Sequence, residues 1–242
     1  MSDTIKSLLA QRDTEPSGPV RTHADLQSRH KVARFIAEHY RDFEPLRIHL
    51  AGHRHSFHAK NDKQRQMLAF LRDRNLIKQV ADQTFEAVDQ DARAFFTGRW
   101  LEEYAYFAAL TAGYDEVETG RMVKWRVGPD EGFNEIDVIA RKEDRLLFVS
   151  CKAIRSDIRQ DKKTRDRLVD FLHEADNIVD HFGGPDDRMA LFCTADLYEE
   201  YNNDQSRFPP LTGKARVLDV EIFSLEDLAW NDIVSRFRRL MA

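Results

Sequence analysis

Between about Asp25 and Tyr40 the apolar residues Leu26, Val32, Phe35, Ile36 and Tyr40 return near helical spacing. "KQRQMLAFLRDRNLI" at 63–77 repeats that spacing through Met67, Leu68, Leu71 and Leu76, and the "QTFEAV" behind it reads as a short strand. Helices followed by a small strand describe a winged-helix-like segment over residues 21–95. Residues 1–20 are polar, end in "EPSGP" and read as a flexible lead-in.

From Gly98 the spacing changes. "GRWLEEYAYFAAL" sets Trp100, Leu101, Tyr104, Ala105 and Ala108 on a broad apolar stripe of a helix, which puts Glu102 or Glu103 at its margin. "RMVKWRV" alternates through Val123, Trp125 and Val127. "NEIDVIARK" and "RLLFVSCKA" follow as two strands around "KEDR", a turn that allows only an antiparallel hairpin. "RLVDFLHEADNIVDHFGG" returns to helical spacing and stops at Gly183, Gly184 and Pro185. "RMALFCT" and "RVLDVEIFS" read as two more strands, and Ser224 with Asp227 forms an approximate capping box for a last helix. The order predicts an α/β domain over residues 96–242, with a mixed sheet flanked by helices.

Composition narrows the class without changing this layout. With 42% hydrophobic and 33% charged residues, the 242-residue chain is globular rather than fibrous or wholly disordered. It has no apolar run of bilayer-crossing length and no signal peptide's apolar middle, so the expectation is a cytoplasmic protein with no membrane partner. Cys151 and Cys193 are too few for a disulfide framework and read as small apolar strand residues. Trp100, Trp125 and Trp230 read as core or interface residues rather than base-stacking platforms.

A net charge of −5 argues against indiscriminate coating of nucleic acid, but the charge is uneven. Residues 20–65 hold ten Lys or Arg against five Asp or Glu, and "IRSDIRQDKKTRDR" at 154–167 holds six against three. The second run is a solvated face or, with Arg155, Arg159, Lys162 and Lys163, a phosphate-contacting rim. His49, His53, His55 and His58 cluster in "RIHLAGHRHSFH", where Gly52 interrupts any helix and no Cys or carboxylate joins them. A polar connector is expected there in preference to a Zn or Ni site.

The period of two puts Glu135, Asp137 and Ile139 on one face of their strand and Ser150 with Lys152 on one face of the next. Asp137 and Lys152 then meet across the hairpin, and an acid on the preceding helix, Glu102, can converge on them. Phosphodiester hydrolysis requires such a set: oxygen ligands for a divalent cation, and a group that positions the attacking water. Here Asp137, Glu102 and the Cys151 carbonyl would hold the ion, and Lys152 would orient the nucleophile.

The ordered set of Glu102, Asp137 and "SCK" at 150–152 resembles the PD-(D/E)XK restriction-endonuclease-like superfamily. More narrowly, "GRWLEEYAY", "NEIDVIA", "VSCKA", "HFGGPDDRMALFCT" and "KARVLDVEIFSLEDL" are similar to the nuclease part of CRISPR-associated ancillary nucleases that join a CARF sensor to a PD-(D/E)XK domain. The resemblance runs from roughly residue 65 to the end. It implies a Mg2+- or Mn2+-dependent endonuclease on DNA or RNA in antiviral defence, acting as a homodimer. Two departures stand out. The chain has no room for the sensor upstream of the winged-helix-like segment, so a separate regulatory partner is expected. Ser150 stands where the motif has an acid, and Glu135 would compensate only on a locally bulged strand. Two alternatives stay open: a catalytically weakened nuclease fold that binds nucleic acid or protein, and a DNA-targeting regulator led by the basic amino-terminal half.

Overall fold

The computed structural model describes residues 4–12, 14–51, 57, 59–82, 84–127, 129–199 and 202–241. Helix α1 (Ile5–Ala10) and strand β1 (Glu15–Ser17) come first, followed by α2 (His23–Glu38), α3 (Tyr40–Ala51) and α4 (Asp62–Asp73). A small hairpin, β2 (Ile77–Ala81) and β3 (Thr84–Ala87), completes the winged-helix-like segment. Helix α5 (Gln90–Ala94) passes through a π-helical turn (Phe95–Arg99) into α6 (Trp100–Ala112). The remaining elements are β4 (Glu116–Val127), β5 (Asp130–Lys142), β6 (Arg145–Lys152), α7 (Lys162–Phe182), β7 (Arg188–Cys193), β8 (Tyr198–Glu199), β9 (Asn202–Ser206), α8 (Pro209–Val217), β10 (Val220–Phe223) and α9 (Trp230–Leu240).

Six strands form one mixed sheet in the order β1-β4-β5-β6-β7-β10. Strands β1, β4, β5 and β6 pair antiparallel, whereas β6, β7 and β10 pair parallel. The parallel step from β6 to β7 needs a crossover, and α7 supplies it. One face of the sheet packs Val138, Ala140, Leu147 and Val149 against α6 and α9; the other packs Ile139, Phe148 and Leu191 against α7 and α8.

Three sequence expectations need correction. The first 20 residues were expected to be a flexible lead-in, but residues 4–12 and 14–20 carry α1 and β1. Thr4 and Ser7 form a capping box at α1, and Ile5, Leu8 and Leu9 are buried against the α7 side of the sheet. The strand expected from Arg216 begins only at Val220, because Pro209 and Pro210 start helix α8 and Asp219, at φ 51°, turns the chain. The Ser224–Asp227 capping box is present, yet it caps a single 3-10 turn (Leu225–Asp227) ahead of α9.

Helix α6 is more deeply buried than an amphipathic stripe implies. Helix α2 covers its outer side through Leu26 against Tyr106 and Phe107, so nine of its residues, Glu103 among them, are buried. A separate, larger core cluster runs from Val32 and Tyr40 through Trp100 to Phe237, so the segments on either side of residue 95 share one apolar interior.

Candidate active site

The candidate site forms where β5 and β6 part. Their antiparallel register runs from Lys142↔Arg145 to Val138↔Val149. Past that pair the Cys151 N–H donates to Asp137 Oδ2 at 2.6 Å, so a carboxylate stands where a ladder carbonyl would otherwise accept. The Lys152 carbonyl accepts from Thr194 N on the β7 side, and alternation along the strand turns the Cys151 amide and carbonyl toward Asp137. Burial pushes the Asp137 carboxyl up; the Cys151 N–H and the Lys152 charge oppose that rise.

A cleft of about 400 Å3 opens between this part of the sheet and α7. Asp137, Ser150 and Lys152 line it, together with Glu135, Trp125 and Glu174. Lys152 Nζ lies 3.4 Å from Glu174 Oε2 and 4.6 Å above the Phe171 ring. Ser150 is buried, at 5% exposure, beside Asp137. The bulge that would have brought Glu135 into play is absent, because the β4–β5 register is unshifted from Glu116↔Arg141 to Val127↔Asp130. Glu135 nevertheless shares the cleft with Asp137 through the period of two.

Glu102 approaches from the α6 side, just past the π-helical turn, the kind of irregularity that often marks functional positions. Its carboxylate accepts from Arg21 Nη2 at 2.8 Å, and the same guanidinium donates to Glu103 Oε1 at 3.0 Å and Thr119 Oγ1 at 3.0 Å. Glu103 was a candidate for the helix margin. It is fully buried instead, held by Arg21 and by Arg29 at 2.9 Å. Gly120 beside this convergence is required by its backbone, at φ 65°, and not by space: a Cβ there would make only ordinary contacts, 3.4 Å from Glu135 Oε1 and 3.8 Å from Arg21 Nη2.

Burial and, next, the Asp137 charge lift the Glu102 carboxyl to about 7, and Arg21 only partly offsets them. Below the ordinary carboxylate value, near 4.5, folded and unfolded chains both hold this proton. Between 4.5 and 7 the unfolded chain releases it while the folded chain keeps it, so stability falls as pH rises through that window and levels off above it. Glu102→Gln is therefore expected to flatten the pH dependence of the urea midpoint between pH 5 and pH 7. Glu103, lifted to about 7 by its own burial, retains part of the slope. An unchanged slope in the variant would show that Glu102 does not titrate there.

The other expected residues fall into two groups. Arg155 lies on the loop after β6, and Lys162 and Lys163 open α7, all exposed; none of the three lines the cleft. Arg159 is bound to Asp157 at 2.7 Å. Cys151 and Cys193 are free thiols, and Cys193 is buried with its thiol lifted to about 12. His53, His55 and His58 lie outside the described residues, while His49 sits on α3 with Nε2 3.1 Å from the Phe85 carbonyl. Among the described residues no three His, Cys, Asp or Glu side chains form a ready-made metal cage.

Sequence reasoning missed Arg21 and Glu174. Glu174 was within reach: it is three residues past Phe171 and four before Ile178, on the helix face already assigned to the sheet. Arg21 had no local signal, since its partners are 81 and 82 residues away.

With this geometry in place, the chain can be set beside known proteins. Residues 89–197 match the family model described as the Card1-like endonuclease domain. No curated protein sequence matches the chain. Among solved structures, protein VC1899 from Vibrio cholerae superposes with a TM-score of 0.73 at 15% identity, over 99% of this chain and 62% of that one. Can2 from Sulfobacillus thermosulfidooxidans, solved in complex with cyclic tetra-adenylate, gives 0.64 at 15% identity, over 98% of this chain and 60% of that one. The chain thus spans about three fifths of the length of either structure. No helix among the described residues is long and apolar enough to cross a membrane. Residues 89–197 are thus similar to the Card1-like endonuclease domain, and the chain shares its fold of mixed sheet and flanking helices with both solved structures.

Proposed function

We propose that the chain is a PD-(D/E)XK-type endonuclease of CRISPR-associated defence that hydrolyses phosphodiester bonds of DNA or RNA. The observation that carries this reading is the meeting of Asp137 and Lys152 in one cleft at the point where β5 and β6 part, with Glu102 close enough to feel the Asp137 charge. Function is argued from that site rather than from the fold, which hosts many activities.

The donors suit a hard divalent ion. Asp137, Glu102 and the Cys151 carbonyl are all oxygen ligands, and two buried carboxylates that repel each other form the kind of pair a cation relieves. Mg2+ or Mn2+ held there would neutralise charge growing on the scissile phosphate. The protein's own groups do the rest. Asp137 is fixed in orientation by the Cys151 N–H. Lys152, its ammonium over the Phe171 ring and shared with Glu174, would orient the attacking water and stabilise the developing negative charge. Arg21 holds Glu102 on the far side of the site.

Ser150 favours a second reading, in which the fold binds nucleic acid or a protein with little or no hydrolysis, because a neutral hydroxyl stands where the motif has an acid. One experiment separates the two. The purified chain is offered single- and double-stranded DNA and RNA with Mg2+ or Mn2+, with and without chelator, beside Ser150→Glu. Cleavage that the chelator abolishes is expected, and Ser150→Glu is expected to raise it by about tenfold or more, in the range of one added charge-stabilising group. No cutting of any substrate by either protein would leave the binding reading in its place.

A further inference from the structure

We propose that a cavity of about 300 Å3 next to the candidate active site holds a backbone phosphate of the nucleic-acid strand being cut, one position along from the scissile group. This rests on the nuclease reading and adds to it the path of the strand. Three guanidinium groups line the cavity, from three separate parts of the fold: Arg47 on α3, Arg155 on the loop after β6, and Arg167 on α7. Thr164 and Phe171 complete the wall.

Arg47 is anchored by donating Nη1 to the Ala153 carbonyl at 3.2 Å, while its Nε is buried with no hydrogen-bond partner among the described residues. Arg155 and Arg167 make no ion pair among the described residues. The nearby Asp161 is occupied as the cap of α7, accepting from Thr164 N at 3.0 Å and from the Thr164 hydroxyl at 2.8 Å. Asp161 offsets part of the Arg155 charge, and the three guanidinium groups around one cavity leave positive charge that an entering anion would pair. Guanidinium forks match phosphate oxygens in shape as well as charge.

The cavity is a separate one from the cleft, and Phe171 of its wall links the two: Lys152 Nζ, which lines the cleft, lies 4.6 Å from that ring's centre and the Arg167 guanidinium 5.4 Å. A strand with its scissile phosphate at Lys152 therefore meets the arginines directly beyond that ring. The arrangement favours a phosphodiester backbone over an isolated anion, because Lys152 and Arg167 both lie against the Phe171 ring and so set two positive sites close together.

The test uses the full chain with Asp137→Asn to silence cutting, and measures binding of labelled single-stranded and duplex DNA and RNA across a salt series. Arg155→Ala with Arg167→Ala is expected to weaken binding and to lower the salt slope by about one to two. Arg188→Ala, at the opposite end of β7, should leave both unchanged. With Asp137 restored, the double variant should raise KM with kcat nearly intact. A parent that binds while the double variant keeps its full slope and affinity overturns the pocket and leaves the nuclease reading standing. A parent that neither binds nor cuts any nucleic acid overturns both.

Discussion

Asp137→Asn and Lys152→Met should each lower cleavage by about a hundredfold or more while leaving the fold in place. The two replacements are chosen to separate chemistry from structure. Asn keeps an acceptor for the Cys151 N–H, which Ala would strand at a cost of about 1–3 kcal/mol, and it removes only the charge. Met keeps an unbranched apolar chain of similar length and removes the ammonium that lies over Phe171 and that Glu174 shares. Single-turnover cleavage of the preferred substrate, beside a thermal melt of each variant, is the measurement. Variants that melt like the parent and cut as fast as it does would remove Asp137 and Lys152 from the chemistry.

The second large effect concerns stability. Trp100→Ala is expected to cost about 3–5 kcal/mol, the range for emptying a buried aromatic site. Trp100 is fully buried, stacked with Tyr40 at 5.5 Å and edge-on to Phe43 at 6.4 Å. Those two rings belong to α3, in the amino-terminal segment, whereas Trp100 opens the helix that carries Glu102. The loss should therefore appear as one cooperative urea transition, shifted as a whole. Two separate transitions, with only one moved by the substitution, would mean that the segments on either side of residue 95 fold as independent units.

Asp137 and Lys152 were legible in the sequence because strand alternation is local: two charges at fixed parity on a hairpin must emerge on determinate faces. The apolar helix left Glu102 and Glu103 both open for its margin. The deep burial of Glu103 was not legible, because it depends on α2 crossing over α6 and bringing Arg21 and Arg29 with it. Helix α1 was misread for a related reason. Ile5, Leu8 and Leu9 are a short apolar set in polar surroundings, and only the finished sheet supplies the surface that buries them. Helix α8 was lost to its own chemistry: "RVLDVEIF" alternates well enough to pass for a strand, while the two prolines that start the helix lie upstream of it.

Strand β1 has a further consequence. It is three residues long, has Pro16 at its centre, and lies along the outer edge of the twelve-residue strand β4. A bare edge of that length is an invitation to a second sheet, because its unpaired amides and carbonyls would accept any extended chain. A proline at the middle of the covering strand has no N–H to offer, so over Met122–Lys124 the edge is closed to growth as well as covered. A chain shortened past Ser17 would therefore show self-association, with Asp137 and Lys152 still on their strands.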